Sequence, residues 1–236
     1  MVKAVFFDLY QTLIDYDPPR ETELARIIND YGIKVTKEMI HRPMVIADEF
    51  MYKEHARQPI TKRSKSEQKN LFSQYQTIIL KEAGIDPTPE LITNNITKMH
   101  QVNFHRVLFD DVLPALKQLE KNGIILGLIS NIDRDISPLF DKLGLTPFLK
   151  VVITSLDCGF HKPQPEIFQE AARQAGVTVN ESVYIGDQYQ IDVLGAKEAG
   201  MKGVLIDRND FFNDDTDELI IRDLKQLVDY IDAERR

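Results

Sequence analysis

An apolar run, Ala4-Val5-Phe6-Phe7, stops abruptly at Asp8. Continuous apolar residues rich in β-formers fit a strand buried on both faces of a parallel sheet, because a strand with one wet face would alternate. A carboxylate at the end of such a strand stands where loops and helix N-termini converge, the place where open α/β sheets bind ligands. Taken alone, Asp8 reads equally well as a turn or cap carboxylate. What the rest of the chain sets beside it decides between the two.

Past Thr12 the pattern breaks at Asp15-Tyr16-Asp17-Pro18-Pro19, a turn-forming cluster expected to close the first strand and its loop. Helical spacing follows. Leu24, Ile27, Ile28 and Tyr31 share one face ahead of Gly32, and Thr36 can cap a second helix, which Pro43 is expected to kink or restart. Leu71, Phe72, Tyr75, Ile78 and Ile79 mark a third helix. Ile92, Ile96 and Met99 mark a fourth, behind the cap residue Thr88. Between them the stretch with Lys62, Arg63 and Lys65 reads as a solvated loop and helix start.

From Val107 onward strand and helix alternate. A helix near 111–122 precedes the run Ile124 to Ile129, which ends in Ser130-Asn131. A helix through Ile136, Leu139, Phe140 and Leu143 precedes Val151 to Ile153. A helix over 165–175, with Pro165 in its first turn, precedes Val183-Tyr184-Ile185-Gly186-Asp187. Gly203 to Ile206, Leu219 to Ile221 and a last helix complete the series. Alternation of this kind implies a parallel sheet with right-handed crossovers. The expected fold class is therefore α/β: a Rossmann-like parallel sheet core flanked by helices, residues 1–16 and 106–236, with an inserted all-helical cap domain over 17–105.

With 236 residues, 43% of them hydrophobic, the chain can bury a core of this size. Its net charge of −8 argues against a general nucleic-acid or anionic-membrane surface, so an anionic substrate would need local cations or a metal. Cys158 is the only cysteine, the opening Met1-Val2-Lys3-Ala4 has too short an apolar run for a signal peptide, and no stretch nears the roughly 20 apolar residues of a membrane span. The expectation is a cytoplasmic protein with a small-molecule partner, neither nucleic acid nor membrane.

A parallel sheet would bring Asp8, Ser130-Asn131, Asp187 and, from the loop after the Val151 strand, Lys162 to one edge. Each has an ordinary explanation: the serine and asparagine as helix caps, the lysine as a solvated cation, Asp187 as a turn former. Several strand ends that all supply charged or hydroxyl groups point to one shared site.

These segments, Asp8-Leu9-Tyr10-Gln11-Thr12-Leu13, Ser130-Asn131, Lys162-Pro163 and Gly186-Asp187-Gln188-Tyr189-Gln190-Ile191-Asp192, resemble in order the four signature motifs of the haloacid dehalogenase-like hydrolase superfamily. The resemblance covers the whole chain, helical insert included. It implies Asp8 as a nucleophile that forms a covalent aspartyl intermediate. It also implies Mg²⁺ held by Asp8, Asp187 and the backbone carbonyl of Tyr10. Ser130 and nearby backbone N–H groups would bind the transferring group, with Asn131 in the same motif. Lys162 would neutralise charge, Thr12 would position the group, and Asp192 would orient the metal ligands or Lys162. Substrate choice would fall to the cap, where Arg42, His41, His55 and Arg57 are candidates and where solvated helix faces are the ordinary explanation.

Two positions pull against each other. Superfamily phosphatases usually carry a second Asp where this chain has Tyr10, serving as general acid and base; the dehalogenases carry Tyr there. Those dehalogenases, however, are metal-independent and have a small neutral residue at Asp187, Tyr at Phe168 and Asn at Tyr189. Asp187 would add uncompensated charge facing Asp8 if no cation were bound, so the expectation is a Mg²⁺-dependent phosphatase of a small phosphorylated metabolite. Without a second Asp it should favour acyl and aryl phosphates over alkyl ones, unless Asp15 or Asp133 supplies the acid. A metal-independent 2-haloacid dehalogenase is the alternative. A receiver-like phospho-acceptor would also cluster Asp, Ser or Thr and Lys at strand ends, but such domains are about half this length and have no insert.

Overall fold

The computed structural model describes residues 1–212 and 216–234. It divides into two compact units, Met1–Asp15 with Val107–Arg236, and Tyr16–Arg106.

The first unit is built on a six-stranded parallel sheet. In chain order its strands are β1 (Ala4–Phe7), β4 (Ile125–Ser130), β5 (Val151–Thr154), β6 (Ser182–Gly186), β7 (Lys202–Ile206) and β8 (Leu219–Ile221). Their spatial order is β5-β4-β1-β6-β7-β8, so β1 is central, and the chain reverses direction across the sheet on either side of it. Around the sheet run α5 (Val112–Lys121), α6 (Ser137–Leu143), the short α7 (Ser155–Cys158), α8 (Pro165–Gln174), α9 (Leu194–Glu198) and α10 (Leu224–Ala233).

Side-chain alternation in β1 explains the layering. Val5 and Phe7 join a core with Leu116 and Leu119 of α5, Phe140 of α6 and Leu227 and Ile231 of α10. Ala4 and Phe6 point the other way, into a second core with Ile167, Phe168 and Ala171 of α8 and Ala196 of α9. All four β1 side chains are fully buried, which is why the run is continuous in sequence. Burying Phe6 and Phe7 stabilises the fold by about 2–3 kcal/mol each. The second core also needs Gly127 on β4, since a Cβ there would strike the Phe6 ring and the Val151 carbonyl.

The second unit holds α1 (Arg20–Asp30), α2 (Lys37–Arg57), α3 (Lys65–Glu82) and α4 (Pro89–Met99). Leu24 and Ile28, Ile40 and Met44, Ile79 and Leu80, and Leu91 make one core among them. Thr36 and Thr88 cap α2 and α4 as their positions predict. The helix at Pro43 neither stops nor restarts: α2 runs through it, with Pro43 itself buried. Pro43 is in the second turn of α2, so only one backbone bond near the helix start is lost, and burial outweighs it. Ser64 and Glu67 form a reciprocal capping box that starts α3. Arg63 is not solvated as its neighbours suggested. Its guanidinium is tied to the Glu54 carbonyl at 2.5 Å and the Glu54 carboxylate at 3.1 Å.

The turn expected at Asp15-Tyr16-Asp17 is in fact a strand, β2 (Ile14–Asp17), paired with β3 (His105–Leu108) in a separate two-stranded sheet. These strands are the chain's exit from the first unit and its return, and pairing satisfies their backbone groups where neither belongs to a larger sheet. No helix among the described residues is long and apolar enough to cross a membrane.

Candidate active site

Parallel register carries the site. Phe7 of β1 lies opposite Leu128 of β4 and Ile185 of β6, so the residues that follow leave the sheet at one edge. Asp8 is the first beyond β1, its N–H bonded to the Ile185 carbonyl at 2.8 Å. Ser130 ends β4 and donates its hydroxyl to Asp8 Oδ1 at 3.0 Å. Lys162 reaches the same oxygen at 2.6 Å. Sequence separations of 122 and 154 residues collapse here into one hydrogen-bonded group.

Lys162 is nearly inaccessible, 3% exposed. Its ammonium has three protons and spends them on Asp8 Oδ1, on Tyr184 Oη at 2.7 Å and on Asp192 Oδ1 at 2.7 Å. Burial alone would lower its pKa, but the charges of Asp192 and Asp8 outweigh burial and raise it, so the lysine stays an ammonium. Asn131 fixes its backbone from both sides, donating to the Lys162 carbonyl at 2.9 Å and accepting the Lys162 N–H at 2.7 Å.

Asp192 has no oxygen to spare. Oδ1 takes Lys162, and Oδ2 takes the Gln188 N–H at 3.0 Å. Its carboxylate presses against Gly186, where a Cβ would overlap it, so the glycine before Asp187 is a clearance requirement. Asp187 differs. Oδ2 accepts the Gln188 amide at 2.7 Å, while Oδ1 is buried with no partner among the described residues. Burial, then the charges of Asp192 and Asp8, push its carboxyl well above the usual carboxylate range, against the Gln188 hydrogen bond and the Lys162 charge. Asp192 is raised as well, by burial first and Asp8 next, with Lys162 opposing.

Carboxylate oxygens of Asp8, Asp187 and Asp192 lie within 4.8 Å of one another. Three carboxylates therefore face one ammonium. A hard divalent cation takes oxygen ligands and is commonly held by one or two carboxylates, so the surplus charge and the unpartnered Asp187 oxygen fit one. Thr12 is fully buried with its hydroxyl unpartnered, and Tyr10 accepts a hydrogen bond from Arg134 Nη2 at 3.4 Å. The edge thus gathers Asp8, Thr12, Ser130, Asn131, Lys162, Asp187 and Asp192, with Tyr10 in the loop two residues past Asp8. His41, Arg42, His55 and Arg57 all fall on α2 of the second unit, where Arg57 pairs with Glu54 at 2.6 Å.

A family model described as a hydrolase, haloacid dehalogenase-like hydrolase, matches residues 2–200. The chain belongs to the haloacid dehalogenase-like hydrolases. This hydrolase is 31% identical, over 98% of its length and 97% of the relative's, to a glyceraldehyde 3-phosphate phosphatase of Methanopyrus kandleri. Among solved structures it is similar to the hydrolase YfnB of Bacillus subtilis bound to magnesium, at a TM-score of 0.63 and 21% identity over 98% of both chains. It is also similar to a 2-haloacid dehalogenase of Pseudomonas syringae, at 0.56 and 26% identity over 99% of this chain and 100% of that one.

Two contributors to the hydrolase site escape motif reading. Tyr184, inside β6, accepts a hydrogen bond from Lys162 and donates its hydroxyl to the Ile129 carbonyl at 2.9 Å, its ring set edge-on against Phe168. A phenol in an otherwise apolar buried strand was the available signal, because a buried hydroxyl needs a partner. Arg208, two residues past β7, donates to the Thr12 carbonyl at 2.8 Å and to Asp111 at 3.0 Å while lying over the Phe109 ring. Here the signal was one more strand end closing on charge.

Proposed function

We propose that this hydrolase is a Mg²⁺-dependent phosphatase of a small phosphorylated metabolite, working in the cytoplasm through a phosphoryl group carried on Asp8. The observation that carries the reading is the buried, unpartnered Asp187 oxygen beside Asp8 and Asp192, an excess of negative charge that a dianionic substrate would only worsen without a cation. Asp8, Asp187 and the Tyr10 backbone carbonyl would hold Mg²⁺. When bound it supplies charge neutralisation between the carboxylates and the phosphoryl oxygens.

The chain's own groups have distinct tasks. An Asp8 oxygen forms a bond to phosphorus while the ester P–O bond breaks, and the leaving oxygen departs as an anion that takes a proton from solvent. Water then forms a P–O bond and gives up a proton to solvent, the Asp8–phosphorus bond breaks, and inorganic phosphate is released with Asp8 restored. Lys162 balances charge on Asp8 throughout, and Asp192 and Tyr184 keep its ammonium aimed. Asn131 sets the Lys162 backbone. Ser130 and Thr12 offer hydroxyls to phosphoryl oxygens as the nucleophile is consumed. The Tyr16–Arg106 unit, as the inserted cap domain, would contribute to substrate choice. The phosphatase named in Methanopyrus kandleri supports a small phosphate ester as the substrate class.

Tyr10 favours a second reading, dehalogenation, since a departing halide needs no proton. Phosphate release from p-nitrophenyl and acetyl phosphates, with Mg²⁺ and with chelator, is set against chloride release from 2-chloropropionate. Phosphate release that stops in chelator is expected. Chloride release in chelator, with no phosphate release in Mg²⁺, would replace this reading with the dehalogenase one.

A further inference from the structure

Resting on the phosphatase reading, we infer that Arg134 is a specificity residue for substrates with a second oxygen acceptor, a carbonyl or carboxylate, on a short chain beyond the phosphoryl group. The Asp8–Ser130 hydrogen bond locks the loops leaving β1 and β4 together at the sheet edge. One step outward along each loop stand Tyr10, two residues past Asp8, and Arg134, four past Ser130, and these two touch, the guanidinium donating to the phenol oxygen at 3.4 Å.

The other cations at this edge are committed. Lys162 gives all three protons to Asp8, Tyr184 and Asp192, and Arg208 is bound to Asp111 and the Thr12 carbonyl. Arg134 is exposed and makes no ion pair among the described residues, although the chain carries a net charge of −8. An unpaired guanidinium tethered by one N–H keeps its other donors for a ligand, and their planar fork matches a carbonyl or carboxylate oxygen. With phosphorus at Asp8 and Lys162 buried beneath it, the exposed Arg134 is the cation we assign to the far oxygen of a short substrate.

The test uses the full chain in Mg²⁺, comparing wild type with Arg134→Met and Arg134→Lys. Propyl phosphate, glyceraldehyde 3-phosphate and 3-phosphoglycerate are compared as substrates or, where turnover is slow, as competitive inhibitors of p-nitrophenyl phosphate hydrolysis. These esters share a three-carbon alkyl chain and differ in the second oxygen. Wild type should prefer the aldehyde and carboxylate esters over propyl phosphate. In Arg134→Met that preference should fall about thirtyfold, mostly through KM or Ki, and Arg134→Lys should restore part of it for the carboxylate. An unchanged preference, or an equal loss on propyl phosphate, overturns the inference, the latter by showing that Arg134 serves the phosphoryl group or the loop itself. If wild type fails to hydrolyse p-nitrophenyl phosphate, the phosphatase reading fails and this inference falls with it. That outcome is distinguishable because it appears before any Arg134 variant is compared.

Discussion

Each unit of this protein buries charge, and the two do it differently. In the helical unit Arg20 donates two hydrogen bonds to Asp48, at 3.0 and 2.5 Å, and Tyr75 donates a third at 2.8 Å. The Tyr16 ring lies over the Arg20 guanidinium. One cation meets one anion, and both Asp48 oxygens are used. At the edge of the parallel sheet three carboxylates share one lysine, and an Asp187 oxygen is left with nothing. A balanced buried pair holds helices together; an unbalanced one waits for something with the opposite charge. Perturbed ionisation by itself does not separate them, because Arg20 and Tyr75 are shifted as clearly as Lys162 and Asp187. The charge count does.

The largest effect should come from the proposed nucleophile. Asp8→Asn should lower kcat for an aryl phosphate by at least about 10⁴-fold, a size typical of a lost nucleophile, while its circular dichroism matches wild type. Retention of even a tenth of the activity would remove Asp8 from the chemistry. Next, Lys162→Met should cost about 10²–10³-fold in kcat and also lower Tm, since the buried Asp8 and Asp192 lose the ammonium they are paired with.

In the helical unit the prediction concerns folding. Arg20→Met leaves Asp48 buried without its cation and should destabilise that unit by about 2–4 kcal/mol, read as lost hydrogen-exchange protection in α1 and α2. The double variant Arg20→Met with Asp48→Leu should regain much of that loss. If single and double variants lose protection equally, the pair is not a closed unit and the contrast with the sheet edge weakens.

The pH dependence sharpens the contrast with a smaller effect. A carboxyl whose folded pKa is raised favours folding fully below its unfolded value, about 3.9, and that contribution is lost as pH rises through the folded pKa. In chelator, the Tm of wild type relative to Asp187→Asn should therefore fall as pH rises above about 4. Added Mg²⁺ should flatten the difference by rewarding the ionised form. A Tm difference independent of both pH and Mg²⁺ would count against a cation at Asp187.

Much of the architecture was legible because the chain states it locally. Buried parallel strands are continuous apolar runs, and every one that ends in Asp, Ser or Gly-Asp does so at the same edge. Asp8, Ser130-Asn131, Asp187 and, from the loop after β5, Lys162 could be grouped without coordinates for that reason, whereas Asp192 came only with the family resemblance. Three things were not local. β2 is held by pairing with β3 some 90 residues later, which turn propensity at Asp15-Tyr16-Asp17 does not register. Pro43 reads as a helix breaker until burial of its ring is counted. Tyr184 and Arg208 carry only a weak local signal, a phenol in a buried strand and a charge at a strand end, and their partners Lys162, Ile129, Thr12 and Asp111 lie far away in sequence.

On the proposed reading, the surplus carboxylate at the sheet edge holds a divalent cation during hydrolysis. Steady-state phosphate release from p-nitrophenyl phosphate, titrated with Mg²⁺ after exhaustive chelation in wild type and Asp187→Asn, addresses it most directly. Saturable activation in wild type, with loss of activity in Asp187→Asn at every Mg²⁺ concentration, is the predicted result. Full activity of wild type in excess chelator, or an Asp187→Asn variant with an unaltered Mg²⁺ response, would contradict it.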